Sequence, residues 1–259
     1  MRLSGTVYSE TLGMDTGITV VTPDRIQSGE EYNVVYLLHG LCGNHKTWLD
    51  YSMLSMYAIG RKSVYILPEV ARSFYTDMKY GLPYFSYLTE ELPTICKSIF
   101  RISADREHTA VMGGSMGGYG ALKCALSKPE QYGMCAAFSS GCLFLKQGMK
   151  ELKENGMNEE YIKNFGKQLA VDFQSIFGEN YDFQPEDDLL SLIQLQKQKE
   201  LPKLYLTCGT EDYFYQDHLT FCKELDLLQI DYTFEEWNAR HDFLYFDEAL
   251  KKAIHHFSL

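Results

Sequence analysis

Several things this chain lacks narrow its class before any motif is considered. No apolar run approaches the roughly 18 residues that cross a bilayer, and Met1-Arg2-Leu3-Ser4-Gly5-Thr6 is not followed by the apolar stretch of a secretory signal. The expectation is a cytoplasmic protein with no membrane partner. The seven cysteines are odd in number, irregularly spaced and free of any C-x-x-C pair. They read as reduced thiols rather than as a disulfide framework. There is no H-E-x-x-H and no clustered set of Cys and His ligands, so no metal and no other cofactor is implied. Basic charge is also short: 24 Lys and Arg stand against 35 Asp and Glu, a net charge of −11. That balance repels phosphate backbones, so nucleic acid is not an expected partner.

What is present suits a soluble globular protein. Hydrophobic residues make up 45% and charged residues 23% of 259 positions, enough apolar surface for a large core without metal or disulfide. One domain over residues 1–259 is the simplest count. Self-association as a homo-oligomer is compatible with this composition.

Short β-rich runs at 32–38, 63–68, 108–112, 134–139, 202–207 and 232–237 alternate with helical periodicity at 84–100, 118–126, 216–228 and 242–257. Such alternation predicts a mostly parallel sheet crossed by helices on both faces. The β-branched residues before about Thr22 predict added antiparallel edge strands, with Pro23 and Ser28-Gly29 marking turns. Residues 143–200 break the rhythm, with Lys/Glu-rich helical segments and no strand. They read as a helical cap inserted over one end of the sheet. Apolar residues there (Phe144, Leu145, Phe165, Phe173 and Phe177) lie at helical spacing among Lys and Glu, which would let one face either cover a pocket or dock on the core.

The strongest chemical signal is Gly113-Gly114-Ser115-Met116-Gly117, a G-x-S-x-G between a predicted strand and a predicted helix. A serine on a strained strand-to-helix turn needs neighbours without Cβ atoms, so that the chain can turn tightly and Oγ can stand exposed. A dinucleotide fingerprint is disfavoured because Ser115 stands where the second glycine belongs. A P-loop fails because Tyr119, not Lys, follows Gly118.

A serine nucleophile needs partners. Two amides must converge on the developing oxyanion: the residue after the nucleophile supplies Met116, and the loop His39-Gly40-Leu41 after an early strand supplies Leu41. His39 and His45 read as shaping that loop. The general base follows serine and acid in chain order, which leaves His218, His241, His255 and His256. His241 fits best, in a loop between the last strand and the last helix. His218 falls within a helix, and His255 and His256 near a helix end. The acid should follow the strand at 202–207. Asp212 is preferred, Glu211 is its rival, and Asp217 falls on what the helix pattern gives as a solvated face.

The segments HGLCGNHKTW, SFYTDMKYG, TEELP, GGSMGGYGALKCAL, CGTEDYFY and ARHDF, in this order, resemble the esterase D-type branch of the α/β-hydrolase fold. They are most similar to bacterial tributyrin esterases, and the resemblance runs over nearly the whole chain. It implies a serine carboxylesterase acting on short-chain acyl esters, a small-molecule substrate. Ser115, Asp212 and His241 would be its catalytic residues, and Leu41 and Met116 its substrate-binding oxyanion donors. The same branch includes S-formylglutathione hydrolases, feruloyl and acetyl-sugar esterases, and mycolyl acyltransferases. These are the alternative functions; a complete triad argues against a non-catalytic binding module.

Overall fold

The computed structural model describes residues 1–25, 29, 31–156 and 158–259, with backbone alone at 160, 161, 164 and 165. Ser28 and the Phe165 side chain, both named above, lie outside the described residues. Eight strands form one sheet in the order β1-β2-β4-β3-β5-β6-β7-β8. They are β1 Arg2–Ser9, β2 Met14–Val21, β3 Asn33–Leu38, β4 Ser63–Pro68, β5 Thr109–Gly114, β6 Met134–Phe138, β7 Lys203–Gly209 and β8 Tyr232–Trp237. From β4 to β8 every neighbour is parallel, while β1 and β2 join antiparallel at one edge.

The helices are α1 Thr47–Tyr51, α2 Leu54–Tyr57, α3 Tyr84–Ser86, α4 Leu92–Ile99, α5 Met116–Ser127, α6 Leu145–Asn155, α7 Glu159–Phe177, α8 Leu189–Gln196, α9 Tyr215–Leu228 and α10 Phe243–His256. The predicted helix at 84–100 is not one uniform α-helix: a π-helical stretch at Tyr87–Glu91 joins α3 to α4. No described helix is long and apolar enough to cross a membrane.

The sheet is sandwiched because both its faces are apolar. In β3, Val34, Tyr36 and Leu38 pack into one core, while Val35 and Leu37 pack into the other, following the two-residue alternation of a strand. The first core lies against α4, α5, α7 and α9, and the second against α10. Burial on both sides accounts for the near-continuous apolar runs of these strands. The segment between β6 and β7 carries α6, α7 and α8 and no strand among the described residues, and α7 is broken at Gly166, whose φ is 77°.

Candidate active site

Parallel strands deliver their carboxyl ends to one edge, and neighbouring strands lie only about 4.8 Å apart. Residues far apart in sequence therefore meet there. β3 ends at the His39-Gly40-Leu41 loop, β5 at Ser115, β6 at Ser139, β7 at the turn with Asp212, and β8 at the loop with His241.

Ser115 occupies a sharp turn with φ 58° and ψ −120°, immediately before α5. Positive φ is unfavourable for a residue with a Cβ, and the turn is held by hydrogen bonds. Its N–H donates to Phe138 O at 2.9 Å, and its carbonyl accepts from Gly118, Tyr119 and Gly141. The flanking glycines are needed for space. A Cβ on Gly113 would stand 2.3 Å from Gly117 O, and one on Gly117 would stand 2.3 Å from Leu38 O.

The Ser115 Oγ lies 3.0 Å from His241 Nε2, and His241 Nδ1 lies 2.8 Å from Asp212 Oδ2. Phe214 N–H holds the other carboxylate oxygen at 2.9 Å, and Asp212 is 6% exposed. Burial by itself would raise its pKa. Hydrogen bonds from His241, the Phe214 amide and Ser139 outweigh that effect and hold the carboxyl below the ordinary Asp value. The imidazole packs against Tyr213, Phe214 and Phe246, with ring centres at 4.7, 5.5 and 5.0 Å.

The rivals lie elsewhere. Glu211 turns outward to Arg240 and Asn238, each at 2.9 Å. His218 is fully buried in α9, and His256 stacks on Tyr205 at 4.5 Å. Asp217 is exposed, as the helix pattern implies. It also lines the cleft, and such burial as its carboxyl has raises its pKa.

The early loop is held by its own histidine. His39 Nδ1 lies 2.8 Å from Gly40 O, which can only accept, so Nδ1 donates there, while Nε2 lies 3.3 Å from Val70 N and 3.5 Å from Glu69 Oε1. In a trans peptide the C=O and N–H point oppositely. Fixing the Gly40 carbonyl on His39 therefore turns the Leu41 N–H away from the imidazole. Trp48 Nε1 donates to Leu38 O and the Tyr75 hydroxyl to His39 O, at 2.8 and 2.7 Å. Among the described residues, neither the Leu41 nor the Met116 amide donates a hydrogen bond, which leaves both free for a ligand. His45 bonds Thr19 Oγ1 at 2.9 Å, behind the same loop.

Sequence reasoning missed Ser139. Its Oγ donates to Asp212 Oδ2 at 2.5 Å and lies 3.1 Å from His241 Nδ1, on a backbone with φ 40°. The available signal was its place: a small polar residue at the carboxyl end of the strand beside the one that bears Ser115.

Around Ser115 opens a cleft of about 1180 Å³. One wall is aromatic, with Trp48, Tyr51, Phe243 and Phe246; another comes from the segment between β6 and β7, through Phe144, Met149, Leu169 and Phe173. Phe177 does not line it, and packs instead between Phe173 and Phe183.

A family model named Esterase, described as "Putative esterase", matches residues 9–257. The chain belongs to the Esterase family. It is a carboxylic ester hydrolase of the α/β-hydrolase fold. An acetyl esterase of Caldicellulosiruptor saccharolyticus is 27% identical over 258 residues, spanning 95% of this chain and 94% of that protein. The fluorophosphonate-binding serine hydrolase F of Staphylococcus aureus superposes with a TM-score of 0.85 at 30% identity, over 100% of this chain and 98% of the other. An S-formylglutathione hydrolase of the same organism gives 0.83 at 28%, over 100% and 99%. Each of these three proteins is similar over at least 95% of this chain's length.

Proposed function

We propose that this esterase is a serine carboxylesterase of the tributyrin-esterase type, working in the cytoplasm on short-chain acyl esters through an acyl-enzyme. Ser115 is the nucleophile, His241 the general base and Asp212 the acid that orients it. The single observation that carries this reading is the unbroken chain of contacts from Ser115 Oγ to His241 Nε2 at 3.0 Å and from Nδ1 to Asp212 at 2.8 Å, ending on a serine at positive φ.

Each step then follows from a named atom. His241 Nε2 takes the Ser115 proton as Oγ bonds to the ester carbonyl carbon. The amides of Leu41 and Met116 receive the oxyanion, and each such donor is worth roughly 10²- to 10³-fold in kcat. The C–O bond to the alcohol breaks as His241 returns the proton to the leaving oxygen. Water repeats the sequence, freeing the acid and Ser115. Asp212, held ionised below its ordinary pKa, stabilises the imidazolium throughout.

The segment at 143–200 acts as a cap over the acyl group, a reading supported by Phe144 and Phe173 in the cleft wall. Seven unpaired cysteines are in keeping with a reducing compartment. Steady-state hydrolysis of an acetate ester by the protein and by its Ser115→Ala variant tests the proposal. A fall of roughly 10⁴-fold or more in kcat with an unchanged melting temperature is expected, and a variant of near-normal activity overturns it.

A further inference from the structure

The cleft is larger than a short acyl group needs, so the alcohol part of the ester lies in it as well. Its walls carry charge of one sign. Carboxylates enter from three separate elements: Glu151 from α6, Asp217 from α9 and Asp242 at the start of α10. Among the described residues no Lys or Arg side chain lines it. This is not for want of cations nearby. α6 carries Lys146, Lys150 and Lys153, yet it presents Gln147, Glu151 and Asn155 to the cleft and keeps all three lysines out of it. Lys150 pairs instead with Glu154, which does not line the cleft either.

Asp217 is the most telling of the three. No described residue gives it a hydrogen bond or an ion pair, whereas Asp242 is engaged by the amides of Leu244 and Tyr245. Among the described residues no cation stands against Asp217, and its carboxylate borders the cleft directly. Apolar residues elsewhere in the lining, Met149, Leu169 and Phe214, make the walls low in dielectric, which focuses the field of the carboxylates. The net charge of −11 on the whole chain acts in the same direction.

We propose that this cleft selects esters by the charge of the alcohol or thiol portion, accepting neutral and cationic leaving groups and rejecting anionic ones, with Glu151 and Asp217 as the residues that set the preference. This rests on Ser115 being the esterolytic nucleophile. It separates the chain from hydrolases of thioesters built on an anionic peptide such as glutathione, whose carboxylates would have to shed water beside Asp217.

The test uses three acetate esters of similar size: that of 2-(trimethylammonio)ethanol, that of its uncharged isostere 3,3-dimethylbutan-1-ol, and that of 3-hydroxypropanesulfonate. At low salt, kcat/KM for the cationic ester should exceed that for the anionic one by about tenfold or more, and the ratio should shrink in about 0.5 M KCl. The Glu151→Gln/Asp217→Asn double variant should lower the ratio by about threefold or more, Asp242 and the net charge holding the remainder, with the single variants between. Glu154→Gln removes one negative charge from outside the cleft and should leave the ratio where it was. The single variants carry the test if the double one fails to fold. An anionic ester cleaved as fast as the cationic one overturns the proposal, and so does a ratio unchanged by loss of both carboxylates. Hydrolysis of the neutral ester, abolished by Ser115→Ala, is read separately; its absence in the wild type would bring down the esterase mechanism rather than the charge preference.

Discussion

The hydroxyl of Ser139 donates to Oδ2 of Asp212, the same oxygen that meets His241 Nδ1. Ser139 thus ties the carboxylate and the imidazole into one network, and it does so from a left-handed backbone conformation that glycine would adopt more easily. Ser139→Gly relieves the backbone and deletes the hydroxyl. We expect kcat for an acetate ester to fall by roughly 5- to 50-fold, in line with one lost charge-assisted hydrogen bond, while the melting temperature stays within a few degrees. Equal loss of activity and of stability would mark Ser139 as scaffold alone.

The acid can be distinguished from its neighbour. Glu211 already spends both carboxylate oxygens on Asn238 and Arg240 at the surface. Asp212→Asn should lower kcat by about 10²- to 10⁴-fold, because an amide misorients His241 and cannot stabilise its cation. Glu211→Gln should change it by no more than a few-fold. Parallel kinetics of the two variants decide, and a larger loss at Glu211 would reassign the acid.

Stability should fall with acidification through a residue outside the chemistry. Burial drives the pKa of His218 down to about 4, an effect that the nearby Asp212 only partly offsets and that His241 reinforces. The unfolded chain therefore binds a proton between about pH 6.5 and 4 that the folded chain does not, so stability is full above 6.5 and declines as pH falls toward 4. The effect is on the order of 3 kcal/mol at most. Urea unfolding at pH 7 and pH 4.5 should show a smaller difference for His218→Phe than for the wild type. Identical differences would remove His218 from the account.

The Phe residues between β6 and β7 separate cap from scaffold. Phe144 and Phe173 line the cleft and Phe177 does not. Phe144→Ala and Phe173→Ala should alter relative kcat/KM among acetate, butyrate and octanoate esters, each methylene in an apolar pocket being worth about 1 to 3 kcal/mol. Phe177→Ala should destabilise by roughly 3 to 5 kcal/mol and leave the chain-length profile alone. A flat profile in all three would make the segment scaffold.

How much of this was legible in sequence depends on the physics of each element. β4 and β8 begin and end where the β-rich runs do, and the other parallel strands shift by only one or two residues. For β3 to β7 burial on both faces writes the strand as a near-continuous apolar stretch, while the edge strand β8, half-buried and carrying Glu235 and Glu236, is marked by its aromatic and β-branched residues. The turn at Ser115 was legible because Gly113 and Gly117 answer to contacts too close for a Cβ. The π-helical stretch at Tyr87–Glu91 was not, since one wider turn leaves the apolar spacing almost unchanged. Asp217 is exposed as the helical periodicity implied, but periodicity does not say that a polar face borders a cleft. Ser139 fell at the end of the β-rich run 134–139, and its link to Asp212 and His241 exists only once β6 and β7 pair.

The central claim is that Ser115 Oγ alone reacts, and covalent labelling tests it most directly. The protein should be incubated with an alkyl fluorophosphonate, digested, and its adduct located by mass spectrometry. One equivalent on Ser115, with activity lost in proportion and no labelling of the His241→Ala protein on the same time scale, is the predicted result. Stoichiometric labelling of another residue, or full activity in protein labelled at Ser115, would contradict it.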